Sequence, residues 1–279
     1  MQKLNDVLQN EIVDKYLTNK YSMTQLAKEY NVSRPTIATY LKNNQIPIKS
    51  LSDSNRKYNV NHNCFNEISN EENAYFLGLL CADGCNNEKD GVVTISLQEG
   101  DKDILEKLQS FLETNKPLKF INKRKYNPIW KDLYAVDIVS KHISSKLASL
   151  GCFARKSLTL QFPTEEQVPA HLIRHFIRGY FDGNGCISFT RHRSKNKLDC
   201  CVGLSSTVYF GDIYSSIVNN HLGVNCTSYD DADNGITKSV RFYGVKNAIA
   251  FYEWIYKDAT VYLLRKYNKF IALKEMFDK

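Results

Sequence analysis

The chain has 279 residues, 43% of them hydrophobic and 24% charged, enough to bury a sizeable core and to exceed one average domain. No uninterrupted apolar run approaches the ~18 residues of a membrane span, and the start MQKLNDVLQNEIVDKYL has no apolar signal core, so a soluble, intracellular protein with no membrane partner is expected. A formal net charge of +7 favours a polyanionic partner without identifying it, and the eight cysteines lack the paired CxxC spacing with matching histidines that a zinc site needs.

Residues 8 to 44 show three short runs of helical periodicity. Ile12, Val13, Tyr16 and Leu17 make the first apolar face, and SMTQLAKEYNVSRPTIATYLKNN supplies two more. Ser22 and Ser33 are placed as N-caps and Pro35 in a first turn. Asn31 falls where a tight turn requires left-handed backbone, and Ile37 and Leu41 face inward. This spacing resembles the helix-turn-helix of DNA-binding proteins, and residues 1–47 are expected to form such a module. Its third helix would present Arg34, Thr36, Thr39 and Lys42 to bases and phosphates. Residues 48–68 lack periodicity and read as a linker. There Lys49, Arg56 and Lys57 either follow a phosphate backbone or belong to a solvated tether.

Two later stretches repeat each other at an offset of 101 residues. YFLGLLCADGCNN starts at Tyr75 and FIRGYFDGNGCIS at Phe176; Gly78 aligns with Gly179, Asp83 with Asn184, Gly84 with Gly185 and Cys85 with Cys186. The segments that follow agree, and each unit reads as αββαββα, over 69–163 and 164–279. Gly78 and Ala82, like Gly179 and Gly183, lie one turn apart on a helix face and would let two backbones approach closely. Asp83 and Asn184 would then be neighbours where the helices end, with Gly84 and Gly185 in the left-handed closing position. An acid at a helix C-terminus is disfavoured by ~0.3–1 kcal/mol, a sign that a divalent cation reverses. An ordinary Asp-Gly turn is the alternative reading of an isolated pair.

FLGLLCADG and IRGYFDGNG resemble the two signature motifs of the LAGLIDADG homing endonuclease family in its single-chain, two-repeat form. The resemblance covers about residues 70 to 279. It implies an α+β fold in which two αββαββα repeats form a pseudo-twofold saddle on duplex DNA, after a small all-α module, in a monomer with an internal pseudo-dimer. It also implies an intron or phage mobile element as host, and Mg²⁺-dependent cleavage across the minor groove. Within it Asp83 matches the metal-binding acid, and Asn184 stands at the second acid position, where it offers a carbonyl oxygen but no charge. Gln98 falls near the attacking water, with Ser205 as its expected counterpart, and Lys156 and Lys266 match basic residues facing the cleavage site. Outward side chains expected to read DNA are Asn86, Lys119 and Lys123 in the first repeat. In the second they are Ser188, Thr190, Arg191, Arg193, Lys197, Lys238 and Arg241. The departure at Asn184 leaves a weakened or nicking enzyme, a non-cleaving DNA-binding regulator on the same scaffold, and an RNA-splicing maturase as the readings.

Overall fold

The structure, a computed structural model, describes residues 6–17, 21–48, 57–192, 197–230 and 235–278. The chain divides into two compact units after Tyr58.

The first unit contains α1 (Asp6–Leu17), α2 (Met23–Glu29) and α3 (Arg34–Asn43). Ser22 accepts from the Gln25 N–H while the Gln25 side chain accepts from the Ser22 N–H, so two of the donors that a helix start leaves unpaired are satisfied reciprocally. Asn31 takes φ +52° in the turn, and Ser33 caps α3 with Pro35 in its first turn. Ile12, Tyr16, Met23, Leu26, Ala27, Ile37 and Leu41 close the small core. Lys15 reaches Glu29 at 2.6 Å and ties α1 to α2.

Residues 59–68 are not linker. The Asn61 N–H donates to the Leu112 carbonyl at 2.8 Å, and Cys64, Phe65 and Ile68 are buried in the core of the second unit. The apolar residues that anchor this segment are too widely spaced to show a period, which is why it reads as tether.

The second unit runs α4 (Glu71–Asp83), β1 (Gly84–Asn87), β2 (Val92–Gln98), α5 (Lys102–Phe111), β3 (Lys119–Ile121), β4 (Leu133–Val139) and α6 (Lys141–Ser149). The second repeat follows with α7 (Ile173–Asn184), β5 (Gly185–His192), β6 (Lys197–Thr207), α8 (Val208–Leu222), β7 (Thr227–Asp230), β8 (Thr237–Tyr243) and α9 (Val245–Tyr256). A further helix, α10 (Leu264–Phe277), has no helical counterpart in the first repeat, which has only the 3₁₀ turn Lys156–Leu158 before its successor begins. Each repeat folds into a four-stranded antiparallel sheet, ordered β1-β2-β4-β3 and β5-β6-β8-β7.

Helices α4 and α7 pack against each other through their glycines. A Cβ on Gly78 would collide with the Phe176 carbonyl and stand 2.9 Å from the Tyr180 nitrogen; one on Gly179 would collide with the Tyr75 carbonyl and stand 2.9 Å from the Leu79 nitrogen. The two backbones therefore touch, as the small-residue spacing predicts. Gly84 and Gly185 differ from expectation. Their φ values are −74° and −84°, in extended rather than left-handed backbone. The chain passes straight from each helix into a strand, and glycine is required by space: a Cβ on Gly84 would lie 2.6 Å from the Leu80 carbonyl, and one on Gly185 would strike the Phe181 ring.

Arg178 of α7 is fully buried and joins the repeats. Its Nε donates to the Val261 carbonyl at 2.9 Å, Nη1 to the Ile255 carbonyl at 2.7 Å and Nη2 to Glu71 Oε1 at 2.7 Å. Asp182, also fully buried, accepts from the Tyr75 hydroxyl at 2.8 Å, the Tyr256 hydroxyl at 2.5 Å and the Leu263 N–H at 2.7 Å. This acid belongs to the core, and burial pushes its carboxyl up to about 6.

Candidate catalytic centre and nucleic-acid interface

The close crossing brings the ends of α4 and α7 together. A Cβ on Gly183 would lie 2.9 Å from Asp83 Oδ2, so the Asp83 carboxylate sits against the turn that carries Asn184. Asp83 is exposed, yet enough protein surrounds its carboxylate for desolvation to act on it. Its carboxylate accepts no hydrogen bond from any described residue. Burial raises its pKa, while Arg265, Lys156 and Lys266 oppose that rise and Asp101 adds to it.

Lys156 and Lys266 do not stand as free cations. Both are buried, and each Nζ donates to the carbonyl of a glycine that follows a motif helix: Lys156 to Gly84, Lys266 to Gly185. Lys266 also reaches the Phe181 carbonyl at 3.4 Å. They neutralise the negative helix ends at which Asp83 and Asn184 sit. Burial, reinforced by Arg265, lowers Lys266 to about 8.

On the Asp83 side the structure adds residues that local sequence did not single out. Gln98 is bound at both ends of its amide, accepting from Lys131 Nζ at 2.9 Å and donating to Asp101 Oδ2 at 2.9 Å. Asp101 is buried and also accepts from Arg265 Nε of the second repeat. The one sequence signal for Arg265 is that it precedes Lys266 as Arg155 precedes Lys156. Asp101 and Arg265 are 164 positions apart, and no local pattern joins them.

The Asn184 side differs. Asn184 hydrogen-bonds the Tyr180 hydroxyl, which in turn reaches the Ser205 carbonyl at 3.4 Å. A cavity of about 310 Å³ opens here, lined by Asn184, Lys156, Ser157, Ser205, Thr207 and Thr237 among others. Ser205 is not the counterpart of Gln98. Gly84 pairs with Ile95 and Gly185 with Leu204, so the register equates Ser205 with Ser96 and Gln98 with Thr207. The Thr207 hydroxyl thus occupies the position that the Gln98 amide occupies on the other side.

Strand alternation sorts the expected DNA contacts. Ser188 and Thr190 are exposed on the sheet face away from the helices. Lys197, Arg241 and Lys119 share the corresponding outward faces: Lys197 pairs with Asp199 at 2.8 Å, and the Arg241 guanidinium lies 5.2 Å from the Tyr229 ring centre. Lys123 lies in the loop after β3, its N–H bonded to Asp132. Two expectations fail because the residues are buried on the inner phase of their strands, a phase that the exposed Arg191 shares. Asn86 is buried, donating to the Ser144 and Cys152 carbonyls at 2.9 and 2.8 Å. Lys238 is buried and paired with Asp212 of α8. Arg191 turns toward α10 and donates to the Met276 carbonyl. In the first unit Arg34, Thr39 and Lys42 are exposed, while the Thr36 hydroxyl is engaged with that of Ser33 at 2.7 Å. Lys57 lies 5.3 Å from the Tyr58 ring centre; Lys49, Arg56 and Arg193 lie outside the described residues.

Residues 70–150 match the family model of a LAGLIDADG-like domain. The homing endonuclease I-WcaI, solved bound to its DNA recognition sequence, superposes with a TM-score of 0.52 at 10% identity over 72% of this chain and 87% of that one. The I-LtrWI LAGLIDADG homing endonuclease, solved with target DNA, covers 78% of this chain and 92% of its own at 11% identity and a TM-score of 0.48. Among curated proteins, the uncharacterized protein MJ0314 of Methanocaldococcus jannaschii is 36% identical over 112 residues. That match spans 38% of this chain and 39% of the relative's length.

Proposed function

From a two-repeat LAGLIDADG fold with residues 70–150 as a LAGLIDADG-like domain, we propose that this protein is a site-specific DNA endonuclease. Its two sheets hold duplex DNA, cleavage falls across the minor groove, and Asp83 marks the working centre. The observation that carries this reading is Asp83 itself: a carboxylate at a helix C-terminus, hydrogen-bonded to no described residue and ringed by Arg265, Lys156 and Lys266.

Mg²⁺ fits this donor set. Among the described residues no three His, Cys, Asp or Glu side chains gather into a complete metal cage. Mg²⁺ is commonly held by one or two carboxylates, with water and phosphate completing the shell. Asp83 supplies the carboxylate and Asn184 a neutral oxygen; a bound Mg²⁺ would polarise the phosphate and acidify a water. The chain's own residues do the rest. Arg265, fixed by Asp101, faces the phosphate charge, and Lys156 and Lys266 keep the helix ends neutral so that the DNA backbone can approach. Gln98, held at both ends, sets Asp101 in place. The loss of the acid at Asn184 makes the two strands unequal, and a nick on the strand served by Asp83 is the main product. The first unit extends the contact along the DNA, and the chain acts as a monomer.

Asn184 also favours a second reading, a regulator that binds without cutting. A nicking time course on flanking genomic DNA with Mg²⁺ separates them. Divalent-dependent nicking by the given sequence, abolished in Asp83→Asn with binding in Ca²⁺ retained, supports the nuclease. Equal nicking by Asp83→Asn and parent would sink the role of Asp83, and intact binding with no nick on either strand would establish the regulator.

A further inference from the structure

The loop 122–131, NKRKYNPIWK, leaves large apolar side chains in water. Ile129 is 89% exposed, Tyr126 75% and Trp130 52%. Single exposed apolar residues are ordinary, but three on one short loop mark an interaction surface. The loop's own bonds hold it open. Asp132, buried at its base, accepts from the N–H groups of Lys123 and Arg124 at 2.8 and 3.0 Å and from the Arg124 guanidinium at 3.1 Å. The Ile129 N–H donates to Asn127 Oδ1 at 3.0 Å and the Trp130 N–H to the Asn127 carbonyl at 3.0 Å. A backbone so fixed keeps the three side chains from folding inward.

Charge identifies the occupant. The loop carries Lys123, Arg124, Lys125 and Lys131 and no acid. Arg124 is spoken for by Glu99 and Asp132, and Lys131 by Gln98; Lys123 and Lys125 remain for an outside anion. A second copy of this chain docking by the same patch would set cations against cations, since a twofold contact pairs a surface with itself. The Lys131–Gln98 bond places the loop at the end of β2 that leads to Asp101 and the Asp83 centre. We propose that loop 122–131 is a wedge for duplex DNA. Tyr126, Ile129 and Trp130 seat against sugars and base edges in a groove while Lys123 and Lys125 hold the flanking phosphates. Apolar wedges of this kind part base steps and bend the duplex, and here the bend falls beside the cutting position. The inference rests on the reading of the sheets as a DNA interface.

The chain has two tryptophans, so Trp254→Phe leaves Trp130 as the sole indole reporter. The probe is an end-labelled duplex of randomised sequence at low salt, its binding followed by label anisotropy. Binding should shift Trp130 emission and cut its quenching by acrylamide several-fold. Ile129→Ser and Trp130→Ser should each weaken binding by on the order of tenfold with thermal stability unchanged, the scale of one lost base–aromatic contact. A duplex that binds while Trp130 stays as quenchable as in the free chain overturns the proposal. So does a dimer in sedimentation that Ile129→Ser returns to monomer, since the occupant is then a second copy. If the unsubstituted chain binds no duplex at all, the reading of the sheets fails first and the wedge fails with it.

Discussion

Arg265 donates through Nε to both carboxylate oxygens of Asp101, at 3.1 and 2.9 Å, and so brings a cation of the second repeat to the Asp83 carboxylate of the first. Asp101 is buried, so the pair has a fixed end and a working end. With Nε engaged, the terminal nitrogens donate to no described residue and remain available to grip a phosphate oxygen.

Arg265→Lys removes the fork while keeping the charge. It should slow nicking of the strand served by Asp83 roughly tenfold or more, the scale of losing one preorganised donor to a developing anion. Asp101→Asn should slow it less, because Arg265 loses its anchor but stays in place. Single-turnover nicking at saturating protein measures both. Unchanged rates in the two variants would show that the pair only staples the repeats together.

Asn184→Asp should raise cleavage of the slow strand and move the product from nick toward double-strand break. The residues are nearly isosteric, and the Tyr180 hydroxyl beside position 184 can rotate to donate to the new carboxylate. Fold and affinity should therefore hold. The check is a strand-specific time course in Mg²⁺ on one labelled duplex. Equal strand rates in both proteins would mean that position 184 limits neither.

The carboxyl of Asp182, raised to about 6 by burial, makes stability depend on pH. Unfolded, the same carboxyl titrates near ~3.9, so the folded chain holds the proton more tightly. The stabilisation from that proton is fully present below the unfolded value and is lost as pH rises through about 6. Its full extent is about 3 kcal/mol, from roughly two units at 1.36 kcal/mol each. Asp182→Asn should flatten that part of the profile. Urea unfolding from acid to neutral pH, compared between the two proteins, reads it directly; parallel profiles would refute it.

Removing residues 1–58 should leave a folded second unit, whose core is its own, and should weaken binding and shorten the protected stretch of DNA. Chemistry should survive, since every candidate for it lies beyond Tyr58. A truncated protein with an unchanged footprint would remove DNA recognition from the first unit.

The sequence was legible wherever a residue's role depends on its neighbours in the chain. Ser22, Asn31, Ser33 and Pro35 act within one turn, and Gly78 and Gly179 announce a close crossing by spacing and repetition. It was misleading where a rule for isolated elements met a crowded one. A glycine after a helix normally supplies left-handed backbone; at Gly84 and Gly185 the adjoining strand and the Leu80 and Phe181 atoms make it a matter of room. Asn86 and Lys238 have the composition of DNA contacts, but a strand's phase is set by its partners, and a slip of one residue reverses inside and outside. Asp101 and Arg265 meet only through the fold.

The pair of fully buried Arg178 with part-buried Glu71 makes the two repeats complementary rather than alike. At the offset of the duplication Arg178 corresponds to Leu77 and Glu71 to Leu172, so each half carries one pole of an internal contact and lacks the other. A homodimer of second halves would bring a fully buried guanidinium to leucine, and an uncompensated buried charge costs about 3–5 kcal/mol; one of first halves would leave the part-buried Glu71 without its cation. The duplicated halves have thus become two sexes of one scaffold: severed and mixed, each is built to choose the other over its own kind.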